Sequence, residues 1–176
     1  MSVATYPEGS PEYFMSLALR EAQCARQEGE VPIGAVAVYD GQIIGRGYNR
    51  REMTKDATGH AEMQAIRQAN QNLGRWRLYD VDVYVTLEPC PMCSGAMINA
   101  RIRHCYFGAY DPKAGTAGSL MNLLADERFN HQVPTTGGVL LEDASQLLKQ
   151  FFADLRRKKT NQKRNKEGQN GEKNFS

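Results

Sequence analysis

Two short segments hold the residues that could do chemistry: Gly59-His60-Ala61-Glu62 and Glu88-Pro89-Cys90-Pro91-Met92-Cys93. A Cys-x-x-Cys pair brings two thiolates close enough for one zinc ion, and His60 supplies a third ligand of the type zinc prefers. The pair follows Pro89 at the start of a predicted helix. Unpaired backbone N–H groups and the helix dipole there favour thiolate over thiol. His60 opens a second predicted helix, so it can reach the metal from the same end of the intervening sheet. A structural zinc site fills all four positions with protein, whereas a catalytic site keeps one open. Three ligands therefore point to a catalytic ion. Cys24 and Cys105 are the candidates for closing the site, but a lone cysteine inside a helix or strand is more often a small buried apolar residue.

Glu62 is the candidate proton carrier. Residues two apart on an ideal helix point about 200° apart, so His60 and Glu62 can share a site only from the helix's first turn, facing over its end. Cys-x-x-Cys alone is ambiguous between redox, structural zinc and catalytic zinc. Combined with His-x-Glu across two helix starts, it matches the signature of zinc-dependent nucleobase deaminases. Zinc lowers the pKa of a bound water from about 15.7 to near 7. A carboxylate that is not itself a ligand can take that proton, protonate the ring nitrogen and return a proton to departing ammonia.

The elements that must position these groups follow from pattern. Ser10-Pro11-Glu12 starts a helix with a cap, a first-position proline and an acid in the first turn; Gly29 ends it. Strands are expected at 33–39, 42–49, 81–86, 103–107 and 138–141, with Asp40-Gly41 as a hairpin turn. Helices are expected at 60–72, 90–100 and 143–159, the last with Leu147, Leu148, Phe151, Phe152 and Leu155 on its apolar face. Residues 50–58 read as loop, and 110–134 as loop plus a short helix. The fold class is α/β: a three-layer α/β/α sandwich around a central mixed five-stranded sheet. The deaminase domain spans 1–159. Residues 160–176 form a polar, basic tail too poor in apolar residues to order itself.

Composition narrows the partners. No run of 18 apolar residues occurs, so no membrane helix is expected. The first residues lack the basic and apolar regions of a secretory signal. Four cysteines in a reducing cytoplasm suggest metal binding before disulfides. Residues 156–176 carry eight Lys/Arg and two Asp/Glu, a net +6 against −4 for the remainder. That asymmetry fits a polyanion such as nucleic acid, or simply a solvated tail.

From about Tyr13 to Arg157 the chain resembles the bacterial tRNA-specific adenosine deaminases of the cytidine deaminase-like superfamily. The matching stretches are Glu30-Val31-Pro32-Ile33-Gly34-Ala35-Val36, Gly45-Arg46-Gly47-Tyr48-Asn49-Arg50, His60-Ala61-Glu62, Thr86 to Ala96, Phe107-Gly108-Ala109, Ala117-Gly118-Ser119-Leu120, Asn130-His131 and Phe151-Phe152. The resemblance implies conversion of adenosine to inosine at the wobble position of a tRNA anticodon, chiefly of an arginine tRNA. It implies one zinc ion per subunit, held by His60, Cys90 and Cys93, with Glu62 catalytic. It further implies a homodimer with the anticodon loop near the interface, and contact of Asn49 with the flipped base. Without it, Asn49 reads as a turn residue. Arg156 and Arg157 extend the last helix and are candidates for phosphate contact.

Asp56-Ala57-Thr58-Gly59 departs from the family's usual Asp-Pro-Thr-Ala before the histidine, which should loosen the loop entering the site. Val31, Pro32 and Ile33 are candidates for lining the pocket or for packing at the strand start. Trp76 is expected to pack, and His104 and His131 to pack or hydrogen-bond. The zinc motif is compatible with other substrates (free cytidine, a nucleotide, guanine or a pterin-like compound) and with a non-catalytic zinc module.

Overall fold

The computed structural model describes residues 5–172, with side chains described through 164. Its elements are α1 (Pro11–Gln27), β1 (Gly34–Tyr39), β2 (Gln42–Tyr48), α2 (Arg51–Thr54), α3 (Ala61–Leu73), β3 (Val81–Leu87), α4 (Pro91–Ala100), β4 (His104–Ala109), β5 (Thr135–Thr136) and α5 (Leu141–Glu172). The sheet order is β2-β1-β3-β4-β5. β1 runs antiparallel to β2 and β3, while β3, β4 and β5 are mutually parallel. This is the expected mixed five-stranded sheet.

Period-two alternation divides the core into two faces. Val36, Val38 and Tyr84 pack with Phe14, Met15 and Ala18 of α1 and with Val139 before α5. Ala35, Ala37, Val83, Val85, Cys105 and Phe107 pack with Ala61, Ala65 and Ala69 of α3 and Met97 and Ile98 of α4. The three layers are thus α1 and α5, the sheet, and α3 and α4. Arg26 of α1 binds Gln150 at 3.3 Å and Asp154 at 3.1 Å, tying the two outer helices of the first layer together.

The hairpin turns at Asp40 (φ 48°) and Gly41 (φ 72°), the paired positive angles that a two-residue turn requires. Gly45 and Gly47 of β2 allow α3 to lie directly on the strand. A Cβ at Gly47 would meet the Ala61 carbonyl oxygen at 2.2 Å, and one at Gly45 would meet that of Ala65 at 2.1 Å. Two missing side chains therefore fix the height of α3, and with it the position of His60.

Several boundaries differ from those expected. The fifth strand lies at Thr135–Thr136, not 138–141, because Gly138 (φ 82°) and Leu140 (φ 51°) adopt left-handed backbone that interrupts regular strand geometry. The short helix expected within 110–134 is absent from the described residues there. Its amides are used elsewhere: those of Ala117 and Ser119 bind the Glu88 carboxylate, and that of Thr116 binds the Pro89 carbonyl. The loop at 50–58 contains the one-turn helix α2. β4 runs on to Ala109. α5 begins at Leu141 and continues to Glu172, through positions assigned by composition to a disordered tail. Lys, Arg and Gln are good helix formers, and extending an anchored helix costs less than starting one. Residues 173–176 of that tail lie outside the described residues.

Candidate active site

The site forms where two helices begin at the same end of the sheet. His60 is the N-cap of α3 and Cys90 the N-cap of α4, both with extended backbone; Pro91 occupies the first helical turn and Cys93 follows it. His60 Nδ1 lies 3.6 Å from the Sγ of Cys90 and 3.6 Å from that of Cys93. All three ligand atoms fall within 4.8 Å of one another. A zinc tetrahedron with ordinary Zn–N and Zn–S lengths has a nitrogen–sulfur edge of about 3.6 Å. The donor set fits a single zinc ion with its fourth position open.

The thiols respond to this crowding. A hydrogen bond from the Cys93 thiol, aided by His60 and the Cys93 backbone N–H, lowers the Cys90 pKa to about 4. As the donor to that thiolate, Cys93 is pushed far upward. Cys90 in turn raises the pKa of His60. Neither remaining cysteine joins the cluster: Cys24 is half-buried on α1, and Cys105 is buried in β4 with its thiol pushed up by desolvation. Neither closes the site.

Glu62 stands in the first turn of α3 and is 4 % exposed. Burial raises its pKa to about 7, while the hydrogen bond from its own backbone N–H and the charge of His60 act in the opposite direction. His60 and Glu62 therefore meet over the helix end. Both line a cavity of about 460 Å³, together with Asn49, Cys90, Asp111 and Phe152. That volume suits a small ligand such as a nucleobase.

Asn49 follows β2 and is buried; its Nδ2 donates to the Val31 carbonyl and its Oδ1 accepts from the Arg51 N–H, each at 3.3 Å. It is a turn residue and a cavity residue at once, with one N–H and one lone pair left over. Val31 and Ile33 also line the cavity. Arg156 and Arg157 lie on the exposed part of α5, outside it. Arg157 is paired with Asp154, the partner of Arg26. His104 binds the Thr136 hydroxyl and His131 the Ile102 carbonyl, each at 2.8 Å. Trp76 is 53 % exposed instead of packed, with the Arg77 guanidinium 4.1 Å above its ring.

Glu88 is the site residue to which the motif alone assigned no role. It is buried, and its carboxylate accepts from the backbone N–H groups of Asp111, Ala117 and Ser119 at 3.0 Å and from the Ser119 hydroxyl. Burial alone would raise its pKa, but these donors outweigh burial and hold the carboxyl below its ordinary value. Glu88 thereby gathers the loop that forms the cavity wall at Tyr110, Asp111 and Lys113. An acid at the buried end of a β-strand, directly before the Pro-Cys ligand, was the available signal.

A three-ligand zinc site at paired helix starts, with a buried non-ligand carboxylate over an α/β/α sandwich, defines a hydrolytic zinc deaminase of cytidine deaminase-like fold. Comparison with known proteins agrees. The MafB19-like deaminase family model matches residues 10–156. The tRNA-specific adenosine deaminase of Bacillus subtilis (strain 168) is 50 % identical over 154 residues, which cover 88 % of this chain and 96 % of that protein. That of Streptococcus pyogenes serotype M18 is 50 % identical over 149 residues, covering 85 % and 94 %. A solved structure from studies of A-to-I editing by tRNA:A34 deaminases at the wobble position of transfer RNA is 44 % identical. It superposes with a TM-score of 0.74 over 77 % of this chain and 99 % of that one. The chain belongs to the family of bacterial tRNA-specific adenosine deaminases.

Proposed function

We propose that the protein deaminates adenosine to inosine at the wobble position of a tRNA anticodon, chiefly that of an arginine tRNA. The observation that carries the chemistry is the buried Glu62 carboxylate, which lines the same cavity as the metal-binding residues His60 and Cys90 and is not itself one of the three ligand residues. The choice of tRNA adenosine is supported by the identity with proteins of that specificity. One zinc ion per subunit, held by His60, Cys90 and Cys93, would supply a water acidic enough to ionise near neutral pH.

Glu62 is placed to take a proton from the attacking water and to pass it to the ring nitrogen beside the amino-bearing carbon. A second proton goes from the added hydroxyl through Glu62 to the amino group as the carbon–nitrogen bond breaks and ammonia leaves. A buried carboxyl that is not a metal ligand is free both to take and to give protons. Asn49 uses its remaining N–H and lone pair to hold the flipped base. Ile33, Leu148 and Phe152 give the cavity apolar walls against which a base can pack.

Arg156 follows the cavity residue Phe152 by four positions and Lys159 follows by seven, so they continue the same stripe of α5 away from the cavity. They suit contact with phosphates leaving the site, with Arg157 contributing from the adjacent face. The deaminase domain is 1–159, and the basic segment beyond it extends the RNA contact. The protein acts as a homodimer: exposed Leu120, Met121 and Phe129 offer apolar surface that a second copy would cover. A cytoplasmic location agrees with four free cysteines. No described helix is long and apolar enough to cross a membrane.

The test is ammonia release from an anticodon stem-loop carrying wobble adenosine, alongside free adenosine, cytidine and guanine. Release from the stem-loop is expected. Release from a free base or nucleoside alone would overturn the assignment.

A further inference from the structure

Glu30 is a buried acid that the chemistry above does not use. It lies between α1 and β1, is 2 % exposed and does not line the cavity. One oxygen, Oε1, accepts from the Met53 N–H at 2.6 Å. The other, Oε2, has no hydrogen-bond partner among the described residues. Burying a half-satisfied carboxylate is costly. An apolar side chain would remove that cost but would leave the Met53 N–H unmet.

Met53 stands in the first turn of α2, where N–H groups have no acceptor within the helix. The N-cap residue Arg50 offers no side-chain cap, and α2 has no buried residue through which packing could hold it. Its amides are met from outside: the Arg51 N–H by Asn49 and the Met53 N–H by Glu30. Asn49 also binds the Val31 carbonyl, next to Glu30 in the chain. One connected set of bonds thus fixes α2 to the turn before β1, and both Asn49 and Arg51 face the cavity.

We propose that Glu30 is a positioning residue that caps α2 and so holds Asn49 and Arg51 where the RNA substrate meets them. This rests on the reading of the cavity as the RNA-binding site. What the cap needs is reach, not charge. Glu30→Gln keeps an acceptor at the same distance, whereas Glu30→Asp keeps the charge but falls short by about 1.5 Å, one carbon–carbon bond.

The experiment measures amide hydrogen exchange at Met53, zinc content, and KM and kcat on an anticodon stem-loop for the wild type and both variants. Glu30→Gln should match the wild type within about twofold in all of them. Glu30→Asp should lose Met53 protection and raise KM about fivefold, the equivalent of about 1 kcal/mol for a lost cap, with zinc content and kcat unchanged. Wild-type behaviour of Glu30→Asp in either exchange or KM overturns the proposal, as does equal impairment of Glu30→Gln. Absence of RNA deamination by the wild type would instead refute the assigned function, while the exchange comparison still decides whether the clamp exists.

Discussion

Glu62 faces the same cavity as His60, although the two are only two residues apart on one chain segment. On a regular helix they would point to opposite sides. They converge because His60 is the N-cap of α3, with extended backbone (φ −82°, ψ 154°), and only Glu62 is helical. The cap residue brings its imidazole to the metal-binding cluster from outside the helix, and the first turn brings a buried carboxylate to the same cavity from inside it.

That division of labour is separable by mutation. Glu62→Ala should reduce kcat at least about 100-fold, the range for loss of a general acid–base group. Metal analysis should still find one zinc per chain, since the ligand atoms are untouched. Loss of metal together with activity would make Glu62 a structural residue.

The close seat of α3 on β2 gives a second expectation. Gly47→Ala places a Cβ 2.2 Å from the Ala61 carbonyl, one residue from His60. The helix start must move away. We expect a destabilisation of about 1–3 kcal/mol, read by thermal unfolding, with reduced zinc affinity. Gly41→Ala, whose added Cβ meets nothing within 4 Å, should leave zinc affinity intact.

The metal ligands were legible in the sequence because Cys-x-x-Cys and His-x-Glu are local patterns set by helix starts. The layers were legible because alternation in β1 and β3 marks both sheet faces. The role of Glu88 was not, since its partners lie 23 to 31 positions further on and bind through backbone amides that no residue type betrays. β5 was set a few residues late because a two-residue strand has almost no periodicity of its own. Arg156 and Arg157 were equivalent as letters. Helical phase and the Asp154–Arg26 pair separate them.

Glu88 should leave a mark on acid stability. Its folded pKa lies below the ordinary carboxylate value, so the folded state binds fewer protons than the unfolded state through the acid range. Its contribution is fully present above that ordinary value and is lost as pH falls through the folded pKa. Glu88→Gln should cost about 2 kcal/mol at pH 7. The gap from the wild type, measured by urea unfolding, should close as the pH falls below the ordinary carboxylate range. A gap that is constant with pH would mean that the charge of Glu88 is not what holds the loop.

The two arginines of α5 should behave differently toward RNA. Arg156→Ala should weaken stem-loop binding and reduce the slope of log affinity against log salt by about one. Arg157→Ala should reduce it less, because Arg157 already pairs with Asp154. Equal, unchanged slopes would remove α5 from the RNA contact.

The most direct test of the central claim is sequencing the wobble position of a bacterial tRNA pool after incubation with the zinc-loaded protein, with Glu62→Ala as control. Inosine should appear at the wobble adenosine of arginine tRNA with the wild type only. An unchanged wobble position, from protein that releases ammonia from free nucleosides or bases, would contradict the account.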